Sequence, residues 1–190
     1  MIKQNIEKFA PYGGLVAVCF EWLALFAYFI EYPQYFGNRY PISYYATLPG
    51  TKWVFSICYL IAAISSWTFI QHHLSKYLKV PVKTFTLSMV CFAVTALIPY
   101  HPSIPLSNIV HILFSGLTFW TFIIGIFLVS RLEQKLHQKI SAWAAALSGV
   151  LLAILIFSPK GSNFTFALEA GSWFICQLWL IWISLRLLRE

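Results

Sequence analysis

One apolar stretch, residues 109–129, constrains the fold more than any other feature of this sequence. It contains 21 residues and no Asp, Glu, Lys or Arg. A helix of about 20 apolar residues is long enough to cross the hydrocarbon core of a bilayer. Backbone polar groups must be hydrogen-bonded inside that core, and a helix satisfies all of them within one segment. The stretch therefore predicts a transmembrane helix.

Polar side chains nevertheless recur near the start of this predicted helix, at Asn108, His111, Ser115 and Thr118. Their spacing of three and four residues places them on one helix face. Polar groups that face lipid are unfavourable, so we expect this face to point into a helix bundle or a wet cavity. Ser107, which follows two prolines, is predicted to cap the helix N-terminus with its hydroxyl group.

The composition extends this interpretation to the whole chain. Hydrophobic residues make up 59% of the sequence and charged residues only 10%, against about 25% charged residues in soluble domains. The sequence therefore predicts an all-α, polytopic membrane protein with a single domain of six transmembrane helices over residues 1–190. The other five predicted spans are residues 15–30, 53–70, 85–98, 140–157 and 164–185. The first is long and lacks a small-residue cleavage pattern, so we expect it to be retained.

The 13 Lys and Arg residues divide unevenly between the two ends of the predicted spans. Ten lie with the termini, a basic loop predicted at residues 71–83 and the fourth loop, whereas Arg39, Lys52 and Lys160 lie on the other side. The positive-inside rule then places both termini in the cytoplasm. Basic residues at the ends of apolar runs attract anionic headgroups, so the expected partners are membrane lipids and not nucleic acid.

The connection at residues 31–50 is rich in tyrosine and proline. Pro33, Pro41 and Pro49 discourage a continuous helix there, and its aromatic rings suit the membrane–water interface. We expect an ordered loop that caps the outer end of the bundle.

Three features carry a family resemblance. Residues 42–46 (ISYYA) close the long loop in the place of an Ile-Ser-Asp-like motif, Pro99 ends the third span, and His111 opens the fourth. In these features the chain resembles a bacterial family of unknown function related to the Frag/DRAM/Sfk group. The resemblance implies a six-helix fold in the bacterial inner membrane, and relatives are linked to lipid remodelling or organelle membranes. Ser43 matches the motif, but Tyr44 replaces its acid, so no role of that carboxylate transfers.

Glu21 and Glu169 lie inside predicted spans, where an ionisable group is a functional candidate. Glu169 and His111 both fall in the outer half, so we expect them to line one internal cavity with Glu21 deeper or beside it. A structural network that fixes helix packing is the alternative. The ligand-binding candidates are Glu21, Ser43, Tyr44, Asn108, His111, Ser115, Thr118 and Glu169.

These residues predict a protein that binds or handles a lipid or another amphipathic ligand in an outer-side cavity between helices. One alternative is a membrane enzyme that acts on a lipid-linked substrate, with His111 and Glu169 or Glu21 as acid–base groups. A second alternative is proton or ion conduction, which the lack of a ring of repeated polar residues disfavours. The sequence assigns no catalytic residue and leaves the oligomeric state open.

Cofactor and metal sites have weak sequence support. Haem needs axial histidines at matched depth, but His72, His73 and His137 fall at the cytoplasmic ends, whereas His101 and His111 fall outside. The four cysteines lie in apolar runs without metal-type spacing, and no G-x-S-x-G motif indicates a serine hydrolase. We expect neither a cofactor nor a metal.

Overall fold

A computed structural model describes residues 2–35, 42–77, 81–98, 100–101, 103–131, 135–157 and 165–189. Every regular element within these ranges is helical, and none is a strand. Five of the helices are long and apolar enough to cross a membrane. The chain is therefore an all-helical integral membrane protein. In chain order its helices are α1 (Ile2–Phe9), α2 (Gly13–Glu31), α3 (Thr51–Phe69), α4 (Ser75–Tyr77), α5 (Val82–Leu97), α6 (Pro105–Val129), α7 (Lys135–Phe157) and α8 (Thr165–Leu187).

The shortest of the apolar helices is α5. Its 16 residues give a length of about 24 Å, whereas the hydrocarbon core of a bilayer is about 30 Å thick. The five long membrane helices are α2, α3, α6, α7 and α8. Pro99, which the sequence predicted to end the third span, lies outside the described residues.

The basic loop predicted at residues 71–83 is wrong for most of that range. The chain continues from α3 through a π-helical turn at Ile70–Leu74 into α4, and Lys83 already belongs to α5. Phe69, Ile70 and Leu74 are fully buried. The apolar face of α3 therefore continues through the polar residues that suggested a loop. His72 and His73 therefore belong to a helical turn.

The prediction that Ser107 caps the fourth span is also wrong. The helix begins two residues earlier, with Pro105 in its first turn and Ile104 at the cap position without a side-chain cap. Proline is favoured at the first helical position because its fixed φ suits a helix and it has no N–H to satisfy. The Asn108 side chain accepts a hydrogen bond from the backbone N–H of His101 at 2.8 Å.

The six apolar helices form a closed ring in chain order. Each packs on the next, α2 on α3, α3 on α5, and so on to α8, which returns to α2. Aromatic rings fill the interior: Phe85 stacks on Trp179 at 5.8 Å and meets Phe122 edge-on at 5.3 Å. Gly125 admits Phe85, because a Cβ at this glycine would lie 2.6 Å from the Phe85 ring. This core positions the polar groups described next.

Candidate functional site

A small polar cavity lies at one end of the ring, where α3, α6 and α8 begin and α5 ends. Its volume is about 40 Å³, enough for one or two water-sized groups. We call it the polar cavity. Its lining residues are Ile42, Ser43, Phe55, Tyr59, Phe92, Thr95, His111, Ser115, Thr118, Phe119, Glu169 and Trp173.

Glu169 stands in the first turns of α8 and connects this helix to the segment Ile42–Thr47. Its Oε2 accepts a hydrogen bond from the backbone N–H of Ile42 at 2.9 Å. The segment forms 3₁₀ turns and buries Ile42, Ser43 and Ala46 against α3 and α8. The carboxyl group of Glu169 therefore holds this segment, and the residue also lines the polar cavity.

His111 is held in one orientation by the end of α5. The residue is 2% exposed, and its Nδ1 lies 2.7 Å from the carbonyl oxygen of Ile98. A carbonyl oxygen only accepts hydrogen bonds, so we assign the proton to Nδ1. In the neutral ring with this tautomer, Nε2 is the acceptor.

The hydroxyl groups of Thr95, Ser115 and Thr118 in the cavity wall donate to backbone carbonyls of their own helices. Ser115 Oγ donates to Ile112 at 3.2 Å, and Thr118 Oγ1 donates to Phe114 at 2.8 Å. This back-bonding is common in membrane helices. It uses the proton of each hydroxyl group and leaves oxygen lone pairs able to accept from a ligand.

The sequence did not predict three polar residues of the cavity wall, Tyr59, Thr95 and Trp173. The Tyr59 phenol is buried, at 5% exposure, and has no hydrogen-bond partner among the described residues. Among the residues that the structure describes, Trp173 Nε1 makes no hydrogen bond of normal geometry, although it lies near the Glu21 carboxyl group. Trp173 follows Glu169 by four residues, so helical spacing could have identified it. Tyr59 sits in an apolar run that carries no such signal.

An apolar groove of about 510 Å³ opens beside the polar cavity, between α2 and α8. We call it the lateral groove. It lies next to the first turns of α8, where Ala170 and Gly171 leave space because one has a small side chain and the other has none. Ile42 lines both the groove and the polar cavity, so the two spaces share a wall. The groove residues are Trp22, Leu25, Phe26, Phe29, Ile42, Ala170, Gly171, Phe174 and Gln177.

Comparison with protein families finds one that matches residues 15–186, described as a protein of unknown function, DUF998. The chain belongs to the DUF998 family. This confirms the predicted resemblance to a domain-of-unknown-function family. The matched region runs from α2 to α8 and so includes the whole helix ring, the polar cavity and the lateral groove. No curated protein and no solved structure matches the DUF998 chain.

Five of the eight predicted ligand-binding candidates line the polar cavity of the DUF998 chain, and three lie elsewhere. Asn108 is engaged with the backbone of His101, and the carbonyl group of Tyr44 accepts a hydrogen bond from Thr47 Oγ1. Glu21, at 2% exposure, borders a separate void of about 10 Å³. The five in the cavity are Ser43, His111, Ser115, Thr118 and Glu169.

The void at Glu21 lies directly behind the polar cavity, because Phe92 and Trp173 line both spaces. Within it, Gln177 Nε2 donates a hydrogen bond to Glu21 Oε2. The described residues contain no group of three His, Cys or carboxylate side chains placed to hold a metal ion. The arrangement places a carboxyl group, an imidazole ring and a phenol around a space for one small polar group.

Proposed function

We propose that this DUF998 protein binds an amphipathic molecule of the bilayer, with its polar end in the polar cavity and its hydrocarbon tail in the lateral groove. The observation that carries the proposal is the shared wall at Ile42, which puts a polar space and an apolar space side by side. Membrane lipids and related amphiphiles combine these two properties in one molecule. The groove lies on the rim of the ring, where a tail can arrive from the bilayer.

The sizes of the two spaces indicate which end of the ligand each of them would hold. The lateral groove, at about 510 Å³, falls in the usual range of about 300–1,000 Å³ for ligand sites. Its aromatic and aliphatic lining suits a hydrocarbon tail. The polar cavity, at about 40 Å³, suits only a small head. The hydrogen bond between Glu169 and the Ile42 backbone holds the wall between them, and its release would join the two spaces.

Six spans, cytoplasmic termini and an outer loop cap belong to the same proposal. The polar cavity is lined by the beginnings of α3, α6 and α8 and the end of α5, as expected for helices that alternate in direction. The test uses a variant in which Cys19, Cys58, Cys91 and Cys176 are replaced by alanine. In that background, a membrane-impermeant maleimide should label Lys52→Cys in intact cells. It should label Arg189→Cys only after permeabilisation. The reverse pattern would invert the orientation.

The relation to the Frag/DRAM/Sfk group and residence in the bacterial inner membrane are also proposals. Members of that group are linked to lipid remodelling, which accords with a lipid-handling role. The helix arrangement is compatible with this relation because it places six apolar helices after one another in a ring.

A second candidate function is an enzyme acting on a lipid-linked substrate. The observation that favours it is that His111, held by its Nδ1 contact with Ile98, and Glu169 line the same cavity, so an imidazole and a carboxyl group are available there as acid–base groups. Loss of turnover with retained binding in His111→Ala would support this function. Proton or ion conduction stays a prediction from the sequence.

Filling the lateral groove tests the leading proposal. In phosphatidylcholine vesicles, a long-chain alcohol with a diazirine in its tail should cross-link to the groove faces of α2 and α8. Ala170→Phe should remove this labelling, because the new ring occupies the groove, while Ala146→Phe on the exposed face of α7 should leave it unchanged. Equal labelling of the wild-type protein and Ala170→Phe would show that the tail lies elsewhere.

A further inference from the structure

We infer that the polar end of the ligand is a primary amine, an inference that rests on the proposed function. The first reason is charge. The polar cavity contains the carboxyl group of Glu169, and none of its described lining residues is Lys or Arg. A phosphate or carboxylate head would face Glu169 without a compensating cation, which is strongly unfavourable in a buried site. An ammonium group would meet its counter-charge there.

The second reason is the aromatic wall. Phe55 stacks on Tyr59 at 4.2 Å, and Tyr59 meets Phe92 edge-on at 5.3 Å. Trp173 continues the series, with Phe92 at 5.3 Å and Phe119 at 5.0 Å. Aromatic faces attract a desolvated cation. The five rings contact one another in series, and all of them line the cavity.

The third reason is the number of acceptors. An ammonium group has three N–H donors. The cavity offers three matching acceptor oxygens, the two carboxylate oxygens of Glu169 and the phenol oxygen of Tyr59. Tyr59 is buried without a hydrogen-bond partner among the described residues, and a buried polar group of this kind is normally satisfied. A bound amine would satisfy it, whereas an alcohol has a single donor to share among the three.

The size of the cavity restricts the amine further. A volume of about 40 Å³ admits an unbranched –NH₃⁺ group but not the three methyl groups of a quaternary ammonium. The expected ligand is therefore a long-chain primary amine. Its tail would leave the cavity at Ile42 and enter the lateral groove.

The test uses the full chain in phosphatidylcholine nanodiscs, with empty nanodiscs measured to subtract partitioning. Four probes with the same tail are titrated by calorimetry: dodecylamine, dodecanol, dodecyl phosphate and dodecyltrimethylammonium. Dodecylamine should bind about tenfold more tightly than dodecanol, because charge-assisted hydrogen bonds are roughly twice as strong as neutral ones. Dodecyl phosphate and dodecyltrimethylammonium should show no saturable binding.

Variants test whether the preference for the amine over the alcohol arises in the polar cavity. Glu169→Gln should lower the dodecylamine affinity to that of dodecanol, whereas Glu7→Gln, on the exposed surface of α1, should keep the preference. Tyr59→Phe removes one acceptor without disturbing a hydrogen bond and should weaken dodecylamine binding severalfold. This second variant keeps the test decisive if Glu169→Gln fails to fold.

The outcomes separate the two proposals. Dodecanol, dodecyl phosphate or dodecyltrimethylammonium binding as tightly as dodecylamine would overturn the amine inference and leave the proposed function standing. An amine preference that survives both Glu169→Gln and Tyr59→Phe would overturn it as well. Absence of saturable binding for all four probes would overturn the proposed function and the inference together.

Discussion

The two sides of α8 are built differently, although both pack against a helix of the ring. On the α7 side, small polar groups cross-link the helices. Ser172 Oγ donates to the carbonyl group of Ser148 at 3.1 Å, and the Cys176 thiol donates to Ser148 Oγ at 3.7 Å. Trp179 Nε1 donates to Ser141 Oγ at 2.9 Å. These contacts hold α7 and α8 together over several turns.

On the α2 side, α8 makes close contact at one end and opens at the other. Gly14 lets α2 approach Ser184 near the end of α8, and Gln177 reaches Glu21 near the middle. Beyond that point the helices diverge around the lateral groove. Hydrogen bonds between membrane helices contribute about 0.6–2 kcal/mol each, so the bonded α7 side is expected to stay closed. The α2 side is where a ligand can enter the ring.

The largest effect on stability is expected from Trp179→Ala, on the side of α8 that is hydrogen-bonded to α7. Trp179 is almost fully buried, so truncation removes its packing on Phe85 and leaves Ser141 without its donor. The free energy of unfolding should fall by about 3–5 kcal/mol, measured by titration from mild detergent into sodium dodecyl sulfate. Trp143→Ala, at a lipid-exposed position of α7, is the matched control and should change little. Equal losses in both variants would contradict the distinction.

A smaller effect is expected from Gly14→Ala at the closed end of the α2 side. The new Cβ would collide with Ser184 Oγ, and overpacking of this kind lowers stability by about 1–3 kcal/mol. Adding Ser184→Ala should restore part of the loss. Gly116→Ala on α6 is the control, because a Cβ there meets no atom within 4 Å. If Ser184→Ala restored none of the lost stability, the contact between Gly14 and Ser184 would not be what sets the distance between α2 and α8.

The fold could be predicted largely from the length of the apolar runs, because a helix that crosses a bilayer needs about 20 apolar residues. The errors came from local polar residues. His72 and His73 suggested a loop, but the buried apolar face of Phe69, Ile70 and Leu74 continues the helix. Ser107 suggested a cap, but a proline two residues earlier sets the helix start.

The residues of the candidate site were predictable only where the polar side chains recur at helical spacing along one helix. Spacing identified His111, Ser115 and Thr118 on α6, and comparable depth linked Glu169 to them. Tyr59 and the lateral groove have no sequence signature, because they arise only when the ring closes and brings α2, α3 and α8 around the segment Ile42–Thr47. That closure depends on tertiary packing.

The smallest effect on stability is expected from Glu169→Gln, and a large effect on binding is expected from both Glu169→Gln and His111→Ala. Gln keeps an oxygen that accepts the Ile42 N–H, so the free energy of unfolding should change by about 0.5 kcal/mol or less. Dodecylamine affinity should fall in each single variant, measured in nanodiscs. The double variant should lose less than the sum of the two, because groups that contact one ligand are coupled. His101→Ala, exposed near the same end of the ring, should bind as the wild-type protein does. Additive losses would mean that Glu169 and His111 act separately, and the shared cavity would then not be their common binding site.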